Sequence, residues 1–211
     1  MISLLIETST ESGVVALFKG FETIYEAKLL FGLQNSKHLF PEITKAFTAT
    51  GLKPADLDLV ITGIGPGSYT GMRVSAMTAK TFSFALKIPL VGVCTLWAFV
   101  PKEDGPFLSL VDAKTGGVYL QKGFMKGDKA TFFEGAALYS LDDASLLVKE
   151  IKTVVTPNLS LKSKFDQLIG ETAWNFVHSD VNSSQMLLSA LAKYEKGEFS
   201  LNGDLELLYL R

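Results

Sequence analysis

The sequence predicts an α/β protein built as two related halves, and three observations carry that reading. First, the apolar run Leu59 to Thr62 passes through Gly63-Ile64-Gly65-Pro66-Gly67-Ser68 into a helical stretch from Thr70 to Lys87, a strand–turn–helix junction. Second, the segments up to Val93 read in the order β-β-β-α-β-α-β, strands alternating with helical crossovers. Third, Leu5-Ile6-Glu7-Thr8-Ser9-Thr10-Glu11-Ser12-Gly13-Val14, ending in Lys19-Gly20-Phe21, is echoed by Ser109-Leu110-Val111-Asp112-Ala113-Lys114-Thr115-Gly116-Gly117-Val118, ending in Lys122-Gly123-Phe124. Each copy has an apolar strand, an acid at its end, a turn of small residues, Gly-Val, a return strand and Lys-Gly-Phe.

Taken in order, Ile2 to Ile6 reads as a buried strand, Val14 to Phe18 as its return, and Phe21 to Leu30 as a third strand of a meander. Leu39, Phe40, Ile43, Ala46 and Phe47 recur at helical spacing, with Asn35 and Ser36 as cap candidates and Gly51 as the stop. Pro41 either sits in the first turn of a helix starting near Leu39 or kinks a longer one.

At the glycine turn, Gly65 and Gly67 allow positive φ and close backbone approach, and Ser68 or Thr70 can cap the helix. That helix has long charged residues only at Arg73, Lys80 and Lys87, seven apart on a narrow stripe. Small residues (Gly71, Ser75, Ala76, Thr78, Ala79, Ser83) and apolar ones (Met72, Met77, Phe82, Phe84, Leu86) fill the rest, so the helix is expected to be covered on two sides, once by its own sheet and once by another helix approaching closely over the small residues, a cover that another protein can supply. Leu90 to Val93 follows as a strand.

Pro101-Lys102-Glu103-Asp104-Gly105-Pro106 marks a boundary by composition. Residues 1–100, completed by about 183–211, form the expected N-terminal lobe, and residues 101–182 a smaller C-terminal one. Beyond the second hairpin the pattern gives a helix from Leu141 to Ile151, a strand Thr153 to Thr156, a short helix near Lys164 to Ile169, a helix Ser183 to Lys196 and a last strand Leu205 to Leu210.

Composition narrows the function. With 47% hydrophobic residues among 211, a sizeable core is available, and a net charge of −2 with pI near 5.7 argues against tight independent binding to nucleic acid. A single cysteine, Cys94, excludes a disulfide framework and a multi-cysteine zinc site. Met1 to Ile6 lacks a positive n-region and is ended by Glu7, so it is read as a first strand, and a cytoplasmic protein with no membrane association is expected.

The glycine turn lacks the Gly-Lys-Ser/Thr ending of a P-loop, which favours a structural turn over a nucleotide site. Glu7 and Asp112 can hold a magnesium-bound water, or they can cap turns beside Thr8, Ser9 and Thr115; the second reading is preferred. His38 and His178 are the only histidines and form no i, i+4 pair, so no metal site is expected. Cys94 reads as a small core hydrophobe, and Ser68 lacks the Gly-x-Ser-x-Gly elbow of a hydrolase nucleophile. No catalytic set emerges. The alternatives are a stand-alone kinase or nucleotide phosphatase and, more remotely, a hydrolase or protease.

Paired hairpins that each end in an acid resemble the actin, hexokinase and heat-shock ATPase superfamily. Leu5-Ile6-Glu7-Thr8-Ser9, the string Gly65-Pro66-Gly67-Ser68-Tyr69-Thr70-Gly71-Met72-Arg73, Asp112-Ala113-Lys114 with Val118-Tyr119, and Tyr209-Leu210-Arg211 are similar to the TsaB family, in the same order along the chain. The resemblance implies a two-lobed actin-like fold of duplicated ribonuclease H-like lobes, the second reduced. It also implies a non-catalytic subunit that pairs with TsaD, the enzyme transferring threonylcarbamoyl to the adenosine beside the tRNA anticodon, with TsaE as an accessory ATPase.

ATP and a metal are then expected on the partner subunits, with none held tightly by this chain, tRNA contact only through the complex, and a homodimer in isolation. The implied interface comprises Ser36, His38, Leu39, Ile43 and Phe47 of the first helix and Thr70, Met72, Arg73, Ala76, Ala79 and Lys80 of the second; Glu7, Thr8, Ser9 and Asp112 are implied as a vestigial phosphate site. The chain departs from the family pattern in having Glu7 for the usual aspartate, and Asn35-Ser36-Lys37 with His38 just after.

Overall fold

A computed structural model describes residues 1–29, 35–114, 116–171 and 174–210. Contacts divide the chain into two units. One comprises Met1–Thr95 with Ser183–Leu208; the other contains Leu96–Asn182.

In the first unit β1 (Ile2–Glu7), β2 (Gly13–Lys19) and β3 (Glu22–Leu29) form the antiparallel meander. The sheet continues with β4 (Leu59–Gly63), parallel to β1, and β5 (Leu90–Val93), parallel to β4, in the order β3-β2-β1-β4-β5. Helix α1 (Asn35–Thr50) bridges β3 to β4, and α2 (Tyr69–Leu86) bridges β4 to β5. β1 and β4 lie mid-sheet with almost every residue buried, which is why they read as continuous apolar runs. Leu4, Ile6, Val15 and Leu17 meet Leu39, Ile43, Ala46 and Phe47 of α1 in one cluster. Each Leu, Ile, Val or Phe side chain among them contributes roughly 1.5–3 kcal/mol on burial.

Helix α1 starts at Asn35, ahead of Leu39, and so carries Pro41 inside it. Pro41 lies on the exposed side, where the carbonyl it leaves unpaired meets water. Asn35 and Ser36 belong to α1, but their side chains lie outside the described residues, as do Leu30, Thr115 and Arg211. Helix α2 is capped by Ser68, whose hydroxyl accepts from the Gly71 N–H, and it closes on Lys87 at φ 56.

The second unit repeats this plan. β6 (Gly105–Asp112), β7 (Gly117–Lys126) and β8 (Lys129–Ser140) make an antiparallel meander, followed by α3 (Leu141–Ile151), β9 (Thr153–Thr156), α4 (Ser160–Ile169) and β10 (Asn175–His178). Its sheet order, β8-β7-β6-β9-β10, matches that of the first unit strand for strand, with β9 parallel to β6 and β10 parallel to β9. The echo between the two hairpins therefore extends to a whole five-stranded sheet. Its core joins Leu108, Leu110, Val118 and Leu120 to Ala144 and Val148 of α3 and to Leu161 and Phe165 of α4.

Several expectations change. The long strand β8 and the short strand β10 were not anticipated, and α4 begins at Ser160 instead of Lys164. The last strand, Leu205 to Leu210, is absent among the described residues. After α5 (Ser183–Glu195) the chain makes one antiparallel bridge, Ser200 to Leu90. It then leaves the ladder because Leu205 settles over Gly92 and the Leu208 N–H donates to the Ile64 carbonyl at 2.8 Å. The unit division also falls before the proline-glycine segment. The Leu96 carbonyl accepts from the Ser109 hydroxyl and Trp97 donates to Gln121, which ties residues 96–97 to the second sheet.

Candidate functional site

The glycine turn between β4 and α2 is filled by the chain itself. Gly67 and Gly71 lack side chains where the Thr8–Ser9 turn packs: a Cβ at Gly67 would collide with the Ser9 carbonyl oxygen, and one at Gly71 would lie 2.8 Å from the Thr8 carbonyl carbon. The Thr8 hydroxyl donates to the Gly71 carbonyl at 2.7 Å, and the Ser68 N–H donates to the Ser9 carbonyl at 2.6 Å. The end of β1 and the start of α2 are thus locked together.

Glu7 sits behind this turn, fully buried, against Gly63, where any Cβ would overlap its carboxylate. One carboxylate oxygen accepts from the Ser9 N–H and the other from the Thr95 hydroxyl at 2.7 Å. Thr95 also accepts from the Gly65 N–H at 3.1 Å and lies 3.0 Å from the Ser9 hydroxyl. Burial pushes the Glu7 carboxyl above its ordinary value, against hydrogen bonds from Ser9, Thr95 and Thr8 that pull it down.

These residues do not fit a phosphate. The N–H groups of Ile64, Gly65, Ser68 and Gly71 are already donated to Val93, Thr95, Ser9 and Ser68, and a carboxylate stands behind the turn. The preference of a helix N-terminus for an anion is met here by protein oxygens.

A pH dependence follows. Since Glu7 in the folded chain titrates above its unfolded value, the native state binds the extra proton between the two. Stability from this group is greatest below the unfolded pKa, near 4.5, and is lost as pH rises through the folded one. Glu7→Gln, which cannot ionise, should therefore gain on wild type as pH rises from about 4 to about 8 in denaturant titrations. A constant difference across that range would refute the buried-carboxyl assignment.

In the second unit Asp112 holds the equivalent place at the end of β6. Its carboxylate accepts from the Lys114 N–H at 2.8 Å and from the Lys164 ammonium at 3.0 Å, while its own N–H donates to Asn158. Burial would raise this carboxyl, but Lys114 and Lys164 hold it below its ordinary value. Glu7 and Asp112 each cap the N–H two residues on, the turn-capping reading of the sequence. Among the described residues no group of three or more His, Cys, Asp or Glu side chains is placed to hold a metal ion. No helix there is long and apolar enough to cross a membrane.

The interface residues expected from resemblance separate into two sets. Leu39, Ile43, Phe47, Met72, Ala76 and Ala79 are buried within the chain, Ala79 against Val60 and Leu90, so their side chains are unavailable to a partner. This corrects the choice of face: the small residues of α2 face its own sheet. Thr70 and Arg73 are exposed, and His38 and Lys80 half-buried. The side chain of Ser36 lies outside the described residues.

The outward stripe of α2 consists instead of Tyr69, Arg73, Met77 and Phe84, spaced as one helix face. Met77 is 62% exposed, Phe84 74% and Tyr69 55%; on α1, Phe40 is 59% exposed. The Arg73 guanidinium stacks over Tyr69 at 4.1 Å. Helices α1 and α2 touch through Phe47 and Phe82, whose ring centroids are 6.4 Å apart. The sequence pattern puts Met77 and Phe84 on α2 without choosing their side, and no local signal points to Thr95 or Lys164, which lie far along the chain from the acids they serve.

Comparison with known proteins places these features in a lineage. A family model described as "TsaD: tRNA N6-adenosine threonylcarbamoyltransferase" matches residues 33–176. The chain is 33% identical over 158 residues to the tRNA threonylcarbamoyladenosine biosynthesis protein TsaB of Buchnera aphidicola from Acyrthosiphon pisum, covering 72% of this chain and 70% of that protein. It is 30% identical over 122 residues to TsaB of Bacillus subtilis, covering 56% and 53%. An uncharacterized protein of Mycobacterium leprae matches at 36% over 123 residues, 56% of this chain and 34% of that protein. The match thus spans about half or less of the length of several curated relatives. In fold, YeaZ from Pseudomonas aeruginosa superposes with a TM-score of 0.83 at 18% identity over 99% of both chains, and the architecture is actin-like.

Proposed function

This chain belongs to the TsaB family, and from that premise we propose that it is a non-catalytic subunit of a tRNA threonylcarbamoyltransferase assembly, docking a TsaD-type catalytic subunit on the outward face of α1 and α2. The observation that supports this most is the exposed apolar stripe of Tyr69, Met77 and Phe84, with Phe40 on the neighbouring helix. Apolar side chains so exposed and so regularly spaced mark an interaction surface. The engagement of the Ile64, Gly65, Ser68 and Gly71 N–H groups within the chain, and the pairing of both acids there, support a subunit that leaves nucleotide, metal and chemistry to its partners. TsaE acts on the assembled pair, the complex works in the cytoplasm, and in isolation the same face pairs with its copy.

Met77→Arg combined with Phe84→Arg should weaken the TsaD complex by about 2 kcal/mol or more in a titration of the two purified proteins, the range of a central interface anchor. The thermal midpoint of the isolated chain should stay within a few degrees, because both side chains face solvent. Reconstituted threonylcarbamoylation should fall in step with complex formation. Unchanged affinity for TsaD would overturn the proposed interface.

A further inference from the structure

The second unit carries an exposed surface that neither its core nor the α1–α2 face uses. Lys122, Phe124 and Lys126 alternate along β7, and Lys129, Thr131 and Phe133 along β8. The antiparallel register sets Lys122 opposite Phe133, Phe124 opposite Thr131, and Lys126 opposite Lys129, so all six share one face of the hairpin. Val118 and Leu120, on that face nearer the middle of the sheet, are covered in the core with α3 and α4. Toward the hairpin end the face is open, with Phe124 42% and Phe133 48% exposed.

Two features of this face work against the stability of the isolated chain. Two phenyl rings are left nearly half exposed, and two lysines are directly opposed in the strand register, a like-charge pairing that is destabilising. Among the described residues Lys126 and Lys129 have no carboxylate partner, and Lys122 reaches only Glu134, at 3.8 Å with the Glu134 side chain 67% exposed. Lysines interleaved with unstacked aromatic rings suit a single-stranded nucleic acid: the ammonium groups neutralise phosphates, and the rings stack on bases of any sequence.

We propose that this β7–β8 face is an auxiliary RNA-docking platform, taking an unpaired stretch of the RNA on which the assembly acts. The substrate class rests on the reading of the chain as a subunit of a tRNA-modifying complex. The overall acidity of the protein makes the contact a weak one that gains strength inside that complex.

The test titrates the full chain into a fluorescein-labelled single-stranded oligouridylate, and into an RNA duplex of equal length, at low and at physiological salt. Wild type should prefer the single strand. Lys126→Glu with Lys129→Glu should lower its affinity about tenfold or more and flatten the salt dependence by about 1.4 in log–log slope, the value for two phosphates of a single strand. Phe124→Ala with Phe133→Ala should lower single-strand affinity about tenfold while leaving duplex binding unchanged.

No detectable binding, unaltered binding by the charge-reversed variant, or equal loss for both RNAs in the aromatic variant would each overturn the platform. So would stronger lysine-dependent binding to phosphatidylserine vesicles than to the RNA. Titration with TsaD in parallel separates this inference from the proposed interface. The β7–β8 variants should bind TsaD as wild type does, and Met77→Arg with Phe84→Arg should bind RNA as wild type does. Loss confined to one pair of experiments identifies which reading fails.

Discussion

Gly71→Ala should destabilise the protein by about 3 kcal/mol or more, read as a fall in the denaturant midpoint with an unchanged slope. The new Cβ would lie 2.8 Å from the Thr8 carbonyl carbon and 2.9 Å from Ser9 Cα, both backbone atoms without a rotamer to turn away. Relief requires α2 to lift from the end of β1, which would break the hydrogen bond of Thr8 to Gly71 and that of Ser68 to Ser9. Gly135→Ala is the control: a Cβ there meets nothing within 4 Å, so the change should stay within about 0.5 kcal/mol. Equal stability of the two variants would show that the Thr8–Ser9 turn is not seated on α2.

Ala79→Arg should be as damaging or worse, on the order of 4 kcal/mol, and should give insoluble or unfolded protein. Ala79 is fully buried between Val60 and Leu90, so a guanidinium there is both too large and without a partner. The comparison with Met77→Arg, two residues earlier on the same helix but 62% exposed, is informative because it separates folding from docking. Circular dichroism should find the first unfolded and the second native, and only the second can then be tested against TsaD. A folded Ala79→Arg protein would mean that the inward face of α2 has been misassigned.

How far the site was legible depended on where each signal lay along the chain. The strand–turn–helix junction was plain because its glycines, proline and cap serine are adjacent, and Ser68 caps α2 as its position suggested. Glu7 and Asp112 were recognisable as equivalent because each ends the first strand of a repeated hairpin, and each caps the N–H two residues on. The inward side of α2 was not legible. Its small residues fit a close approach by either a sheet or a foreign helix, and Met77 and Phe84 remove the polar face that would have marked the solvent side. The strand β8 was hidden for a related reason: an edge strand with Gly135 and a register irregularity near Leu120 and Lys122 shows little alternation.

By itself the sequence determined the α/β class, the duplicated hairpins and the order of elements through β5, because those depend on hydrophobic period and turn chemistry within a few residues. It also determined membership of the family, which rests on the same local strings. Only the tertiary structure decided that the Glu7 carboxylate is held by Thr95, which lies 88 positions along the chain, and Asp112 by Lys164, at a separation of 52. It alone decided that Ala76 and Ala79 belong to the core while Met77 and Phe84 belong to the surface, and that the chain after Ser200 leaves the ladder over Gly92. The physical reason is common to all three. A helix apolar nearly all round, a buried acid and an extended tail can each be satisfied in several ways locally, and the choice is made by which distant atoms fill the space beside them.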